Sequence, residues 1–220
     1  MIIENVDHSV GMWHAIHGMR NSWNSWDKSD TGSKAIANLG IIGPEDLALC
    51  RKLVKAGPAH RKFMRMIFVY ADITAPLHWW KQFDTYKVGT VANSTSTMHT
   101  IMKKPFDISD FGFYDSLVRE EETDPETKEA ITGVINALNL LRARSVIEPG
   151  KKRVFESLIF KLLPSSYMQK RTVCISYEVL YNIWTTRRGH KLPEWQEFID
   201  ILCKCTSFYQ FVEGMDDEET

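Results

Sequence analysis

From Met66 the chain alternates in a way that only an extended strand can use. Ile67, Val69, Ala71 and Ile73 fall on one side, and Met66, Phe68, Tyr70 and Asp72 on the other. Side chains on a strand point to opposite faces at a period of two, so both faces of this strand are expected to be mostly covered. Ala75 and Pro76 end it, and Pro76 opens a short helix carrying His78, Trp79, Trp80 and Gln82. A polar loop from Asp84 to about Ser94 follows. A strand that feeds a helix and then a ligand-sized polar loop points to an α/β (α+β) protein, a central sheet with flanking helices.

Other segments read as helices. Ser9 can cap a first helix whose apolar stripe is Trp13, Ile16, Met19 and Trp23. Asp27 to Gly32 reads as loop. Pro44 starts a second helix with Glu45 and Asp46 in its first turn, where the helix dipole favours acids. Leu47, Cys50, Leu53 and Val54 form its buried stripe, and Gly57 and Pro58 stop it. Asp124 and Pro125 open a long helix with Ile131, Val134, Ile135, Leu138 and Leu141 on one face. Glu148, Pro149 and Gly150 interrupt it before a further helix from about Arg153 to Leu163. Val173 to Thr186 begins as strand and ends as helix, and Pro193 opens a last helix through about Cys203. One domain over residues 1–212 is expected, with a helical insertion at about 107–162 and an acidic, frayed tail at 213–220.

The formal net charge is −1, which gives no global field to attract nucleic acid or an anionic membrane. No apolar run reaches the length of a membrane span. The four cysteines, Cys50, Cys174, Cys203 and Cys205, lack zinc-site spacing and read as reduced buried thiols, so a cytoplasmic location is expected and no metal. The Glu120-Glu121-Glu122 run reads as a solvated face.

Three stretches carry chemistry. The Asp84–His99 loop offers Thr85, Tyr86, Lys87, Thr90, Asn93, Ser94, Ser96 and His99, with Gly89 permitting close backbone approach. Hydroxyls, amides and one ammonium suit a phosphate, although neither a Walker pattern nor GxGxxG is present. A solvated surface loop is the other reading. Arg187, Arg188, His190, Lys191, Glu194 and Trp195 form the second stretch. A guanidinium there could fork onto a phosphate or a pyrimidine carbonyl, or simply satisfy a helix C-terminus. The third is Gly57-Pro58-Ala59-His60-Arg61-Lys62, which could meet an anion or act as cap and surface.

In this order and spacing the stretches resemble the flavin-dependent thymidylate synthases, over roughly residues 8 to 210, as a divergent, phage-like member. That family has a Gly-His element and a strand leading to Ala-Pro, here Gly57…His60, the Met66–Ile73 strand and Ala75-Pro76. A Gln follows, here Gln82, and an Asn-Glu-x-Ser turn, here Asn93-Ser94-Thr95-Ser96. Leu163-Pro164…Tyr167, Asn182, Arg187, His190 and Trp195 match its C-terminal pattern. Its Arg-His-Arg triplet, however, is Thr85-Tyr86-Lys87 here, its Arg-Tyr is Met98-His99, and an Arg expected four residues before Pro164 is Phe160.

The resemblance implies the thymidylate-synthase-complementing-protein fold and reductive one-carbon transfer to C5 of dUMP or a related pyrimidine deoxynucleotide. It implies FAD as cofactor, with NADPH and methylenetetrahydrofolate as co-substrates, and no obligatory enzymic nucleophile. It places Gln82, Ser94, Ser96 and Arg187 on the nucleotide, and His60, Thr85, Tyr86, Lys87, Asn93, Asn182 and His190 on the cofactor. It implies a homotetramer with sites between subunits. His60, Arg61, Lys170, Arg171 and Arg188 are the candidates to replace the missing cations. The alternative reading is a catalytically inactive nucleotide-binding or scaffolding oligomer that keeps the fold without flavin chemistry.

Overall fold

The computed structural model describes residues 1–33, 40–112, 124–204 and 206–213. Cys205, the Glu120–Glu122 run, residues 113–123 of the expected insertion and the tail from 214 lie outside them.

The chain begins with β1 (Ile2–Val10) and turns through Gly11 into α1 (Met12–Met19). Helix α2 is Pro44–Lys55, β2 is Phe68–Pro76 and α3 is Leu77–Phe83. Strand β3 (Thr90–Ser94) and the single turn α4 (Thr97–Thr100) follow. The long α5 (Pro125–Ile147) and α6 (Lys152–Leu162) come next. Strand β4 (Met168–Ser176) leads into α7 (Tyr177–Arg187). Helix α8 (Pro193–Phe198) runs on as a π-helical turn, Ile199–Cys203, before the short α9 (Tyr209–Val212). The four strands form one antiparallel sheet in the order β1-β2-β4-β3. This is the mixed architecture that the strand-helix alternation implies.

Several expectations change. Ser9 lies within β1, so Gly11 and not Ser9 precedes α1. Helix α1 buries Met12, Ala15 and Ile16, whereas Trp23 falls past its end in a 3-10 turn and is 87% exposed. A helical stripe cannot continue once the backbone leaves the helix. The expected strand begins two residues later than Met66, and its period of two is present, with Val69, Ala71 and Ile73 buried and Ile67 buried just before it. The other face is only partly covered: Tyr70 is exposed, Phe68 and Asp72 are half-buried, and Met66 falls before the strand in a 3-10 turn and is exposed. Thr90–Ser94, expected as loop, pairs as a strand at the sheet edge. On α2, Cys50 and Val54 are buried as expected, and so is Asp46, an acid that periodicity alone would leave in solvent.

The described chain divides into two compact units. One comprises Thr74–Asp84 and Ser94–Arg171, together with Met1; the other comprises Ile2–Ile73, Thr85–Asn93 and Thr172–Thr220. In the first, α5 and α6 close over a core of Ile101, Phe106, Phe111, Ile135, Leu138 and Ile159. The Asn139 side chain bonds both the N–H and the C=O of Phe106, at 2.8 and 2.9 Å, which ties the loop to α5. Asp124 caps α5 through the Thr127 N–H, as its sequence suggests. Trp79, Trp80 and Phe83 are all buried on α3, Trp79 stacked on Phe83 and Trp80 edge-on to both, so both members of the Trp pair are core. Phe160, where the family resemblance expects an arginine, packs against the core of Ile101, Phe106, Phe111, Ile135, Leu138 and Ile159.

The second unit buries Phe63, Met64, Tyr177, Trp195, Phe198, Phe208 and Phe211. Rings of Phe63, Tyr177, Phe208 and Phe211 meet edge to face at 5.5–5.8 Å, a favoured arrangement for aromatic quadrupoles. Cys50 and Cys203 are buried here as free thiols, and burial pushes both well above the usual thiol range. Neither is poised as a thiolate nucleophile. Among the described residues no helix is long and apolar enough to cross a membrane.

Candidate functional site

Ser176 ends β4 and caps α7 through the Val179 N–H, which fixes where the helix starts. Gly89 accepts from the Ser176 N–H at 2.9 Å, so the loop carrying Tyr86 and Lys87 is fastened to that start. Ten residues on, α7 ends at Arg187. Thus two stretches remote in sequence meet at one helix end.

Arg187 is held on three sides. Its Nε donates to the Tyr86 Oη at 2.9 Å. Its Cζ lies 4.9 Å from the centroid of the Trp195 ring and 5.7 Å from that of Tyr86. Cation–π contacts of this kind contribute about 0.5–1 kcal/mol at exposed sites and more where water is excluded. Tyr86 Oη is also 2.9 Å from Thr186 Oγ1, and Gln196 Nε2 donates to the Arg187 carbonyl at 3.3 Å. His190 Nδ1 accepts from the Leu192 N–H at 3.1 Å, so in the neutral ring the proton sits on Nε2. Its ring meets Trp195 edge-on, 6.5 Å between centroids. This cluster brings together Tyr86, Arg187 and His190 from the residues named on sequence. Asn182 enters it through its backbone carbonyl, which accepts from Thr186 Oγ1 at 2.6 Å. Lys87, Thr85 and Asn93 are exposed residues of the same unit.

His60 is exposed in this unit and lines an open cleft of about 1140 Å³. Ser22, Trp23, Lys28, Lys52 and Lys62 also line it. Sequence reasoning named Lys62 in the Gly57–Lys62 stretch but did not select Trp23, Lys28 or Lys52. The signal was there in Trp23, which was assigned to a buried stripe.

Three of the cations expected to replace the missing arginines are already engaged. Arg61 is buried, donates from Nε to both Glu178 oxygens at 3.2 and 3.1 Å, and stacks 4.1 Å from the Tyr181 ring centroid. Arg171 bonds Asp84 at 2.7 Å and Gln169 at 3.0 Å and lies 4.2 Å over Trp80. Arg188 lies over Trp184, at 4.6 Å.

Gln82, Ser94 and Ser96 belong to the other unit. Gln82 is half-buried on α3, and Ser94 is exposed at the end of β3. Ser96 precedes α4, and its carbonyl accepts from the Thr100 hydroxyl at 2.8 Å. Thr95 fastens this turn to β4, donating from its N–H and its hydroxyl to the Lys170 carbonyl at 2.9 and 3.1 Å. The turn therefore keeps a defined shape with Ser94 where the resemblance expects an acid. Among the described residues no three His, Cys, Asp or Glu side chains converge to hold a metal ion.

No family model matches the sequence, and no curated protein matches it. Solved structures do. The chain is similar to the flavin-dependent thymidylate synthase ThyX from Helicobacter pylori in a crystal structure with FAD and dUMP. That match has a TM-score of 0.67 and 19% identity over 96% of this chain and 98% of the other. A second crystal structure of the same Helicobacter pylori enzyme with FAD and dUMP gives a TM-score of 0.68 at 19% identity, covering 96% and 97%. The fold is therefore that of the flavin-dependent thymidylate synthases, nearly end to end.

Proposed function

We propose that this chain is a divergent flavin-dependent thymidylate synthase-like enzyme. It transfers a one-carbon unit reductively to C5 of dUMP or a related pyrimidine deoxynucleotide. The observation that carries this reading is the Tyr86–Arg187–Trp195 cluster. It builds an oriented guanidinium at the position where the ordered motifs place a pyrimidine-binding arginine, on a fold shared with enzymes crystallised with FAD and dUMP.

FAD fits the residues present. The cleft beside His60 has room for a large ligand and offers three lysines for phosphate and an exposed indole for a ring. His60, Lys52, Lys62 and Trp23 would hold the cofactor, with Asn93, Asn182, His190, Thr85, Tyr86 and Lys87 as the further contacts that the motifs suggest. When bound, the flavin supplies the redox step, taking reducing equivalents from NADPH while methylenetetrahydrofolate supplies the carbon. The chain's own residues orient and polarise. Arg187 binds the pyrimidine, Gln82, Ser94 and Ser96 position the nucleotide, and Lys87 neutralises phosphate charge. A homotetramer acting in the cytoplasm completes the reading.

Label transfer from methylenetetrahydrofolate into dUMP tests the chemistry, and absence of label from every nucleotide product overturns it. Arg187→Ala is expected to weaken dUMP binding at least tenfold, the loss of a hydrogen bond to a charged group. The melting temperature should change little, because the guanidinium is only half-buried. A variant that melts early yet binds normally would make Arg187 structural.

A second reading has its own support. Arg61 and Arg171 are committed to Glu178 and Asp84 and do not replace the missing triplet. That favours a nucleotide-binding or scaffolding oligomer without flavin chemistry. The absorption spectrum after incubation with FAD and desalting separates the two. Retained visible flavin bands support the enzyme, and an aromatic band alone supports the scaffold.

A further inference from the structure

The hydrogen bonds around Tyr86 have only one consistent direction. A guanidinium can only donate, so Tyr86 Oη accepts from Arg187 Nε. A backbone carbonyl can only accept, so the Thr186 hydroxyl proton goes to the Asn182 oxygen. Thr186 Oγ1 has one proton and has used it. At 2.9 Å it must therefore accept from the Tyr86 hydroxyl. The result is a single relay: Arg187 Nε–H to Tyr86, Tyr86 O–H to Thr186, Thr186 O–H to the α7 backbone. Each link polarises the next in the same sense.

We propose that Tyr86 is a positioning residue, which locks the Arg187 guanidinium by its Nε against the Trp195 ring and leaves the two terminal Nη groups as the ligand-facing pair. This rests on the reading that Arg187 binds the pyrimidine nucleotide. Among the described residues the Nη groups donate to no protein acceptor, while Nε is spent inside the protein. The Tyr86 proton is likewise committed to Thr186, so the hydroxyl acts through Arg187 and is not an acid toward substrate. The residue stands where the family resemblance places an arginine-rich triplet. The chain has exchanged direct charge there for control over a remaining charge.

The test is calorimetry of dUMP binding to the full chain, with and without FAD, for the wild type, Tyr86→Phe, Arg187→Ala and the double variant. Tyr86→Phe keeps the ring and removes only the relay, and should weaken binding about fivefold to tenfold. Thr186→Val removes the tyrosine's acceptor and should shift affinity in the same direction. The double variant should bind no worse than Arg187→Ala alone, because Tyr86 has nothing left to position. Tyr86→Phe binding like wild type overturns the proposal. A double variant weaker than Arg187→Ala by the full Tyr86→Phe factor also overturns it, since the two residues would then act separately. A wild-type chain that binds no dUMP overturns the functional reading, and this one with it.

Discussion

Asp46→Ala is expected to destabilise the protein by about 3–5 kcal/mol, because it strands a buried guanidinium. Asp46 is fully buried and Arg20 is 5% exposed, and they meet at 2.5 Å through Arg20 Nε. Asp46 also accepts from the Ser29 hydroxyl at 2.7 Å and the Thr31 N–H at 3.1 Å. The neighbouring Asp30 accepts the Glu45 and Asp46 N–H groups at the start of α2. One carboxylate thus ties the end of α1, the 29–31 segment and α2 together. Burial pushes the Asp46 carboxyl up, but the hydrogen bonds from Thr31, Ser29 and Arg20, with the Arg20 charge, hold it below the usual carboxylate range. Its stabilisation is therefore complete above an ordinary unfolded carboxylate value of about 3.9 and fades as pH falls through the lower folded value. Urea unfolding at neutral and acidic pH checks both parts. The variant should lose most at neutral pH, with the gap to wild type closing in acid. A variant as stable as wild type at neutral pH would show that solvent reaches Arg20.

Gly11→Ala is expected to cost more than about 3 kcal/mol, from two separate effects. Gly11 has φ +82° between β1 and α1, a region where a side chain costs about 1 kcal/mol or more. An alanine Cβ there would also clash with the Met66 carbonyl oxygen, which is backbone and cannot rotate away. Gly57→Ala is the control. It has φ +97° but nothing within 4 Å of an added Cβ, so only the conformational part remains. Thermal melts of the two variants should differ clearly, with Gly11→Ala the lower. Equal melting temperatures would mean that β1 yields and the close approach is not rigid.

Local patterns in the sequence carried the elements. The period of two from Ile67 to Ile73, the Asp124 cap and the Pro44 and Pro193 helix starts all depend on neighbours within one turn or one strand. The order of motifs also pointed to the fold that the Helicobacter pylori structures share. Where local signals failed, the backbone had left the element that the pattern assumed. Trp23 continued a helical spacing beyond the end of α1, and Ser9 was spent in β1.

The functional groups are another matter, because their roles are pairwise and long-range. Tyr86 and Arg187 are 101 residues apart, and nothing in either stretch states that one holds the other. Arg61 read as an available cation until Glu178, 117 residues away, claimed it. Asp46 read as a first-turn acid suited to the helix dipole, and tertiary packing made it the buried partner of Arg20. The sequence by itself determined β2, the start of β4, most of the helices and the chemistry of the side chains on offer, while the edge strands β1 and β3 went unread. Only the tertiary structure decided which charges are spent on the protein and which are left for a ligand, because the energy of a charge depends on what surrounds it in space.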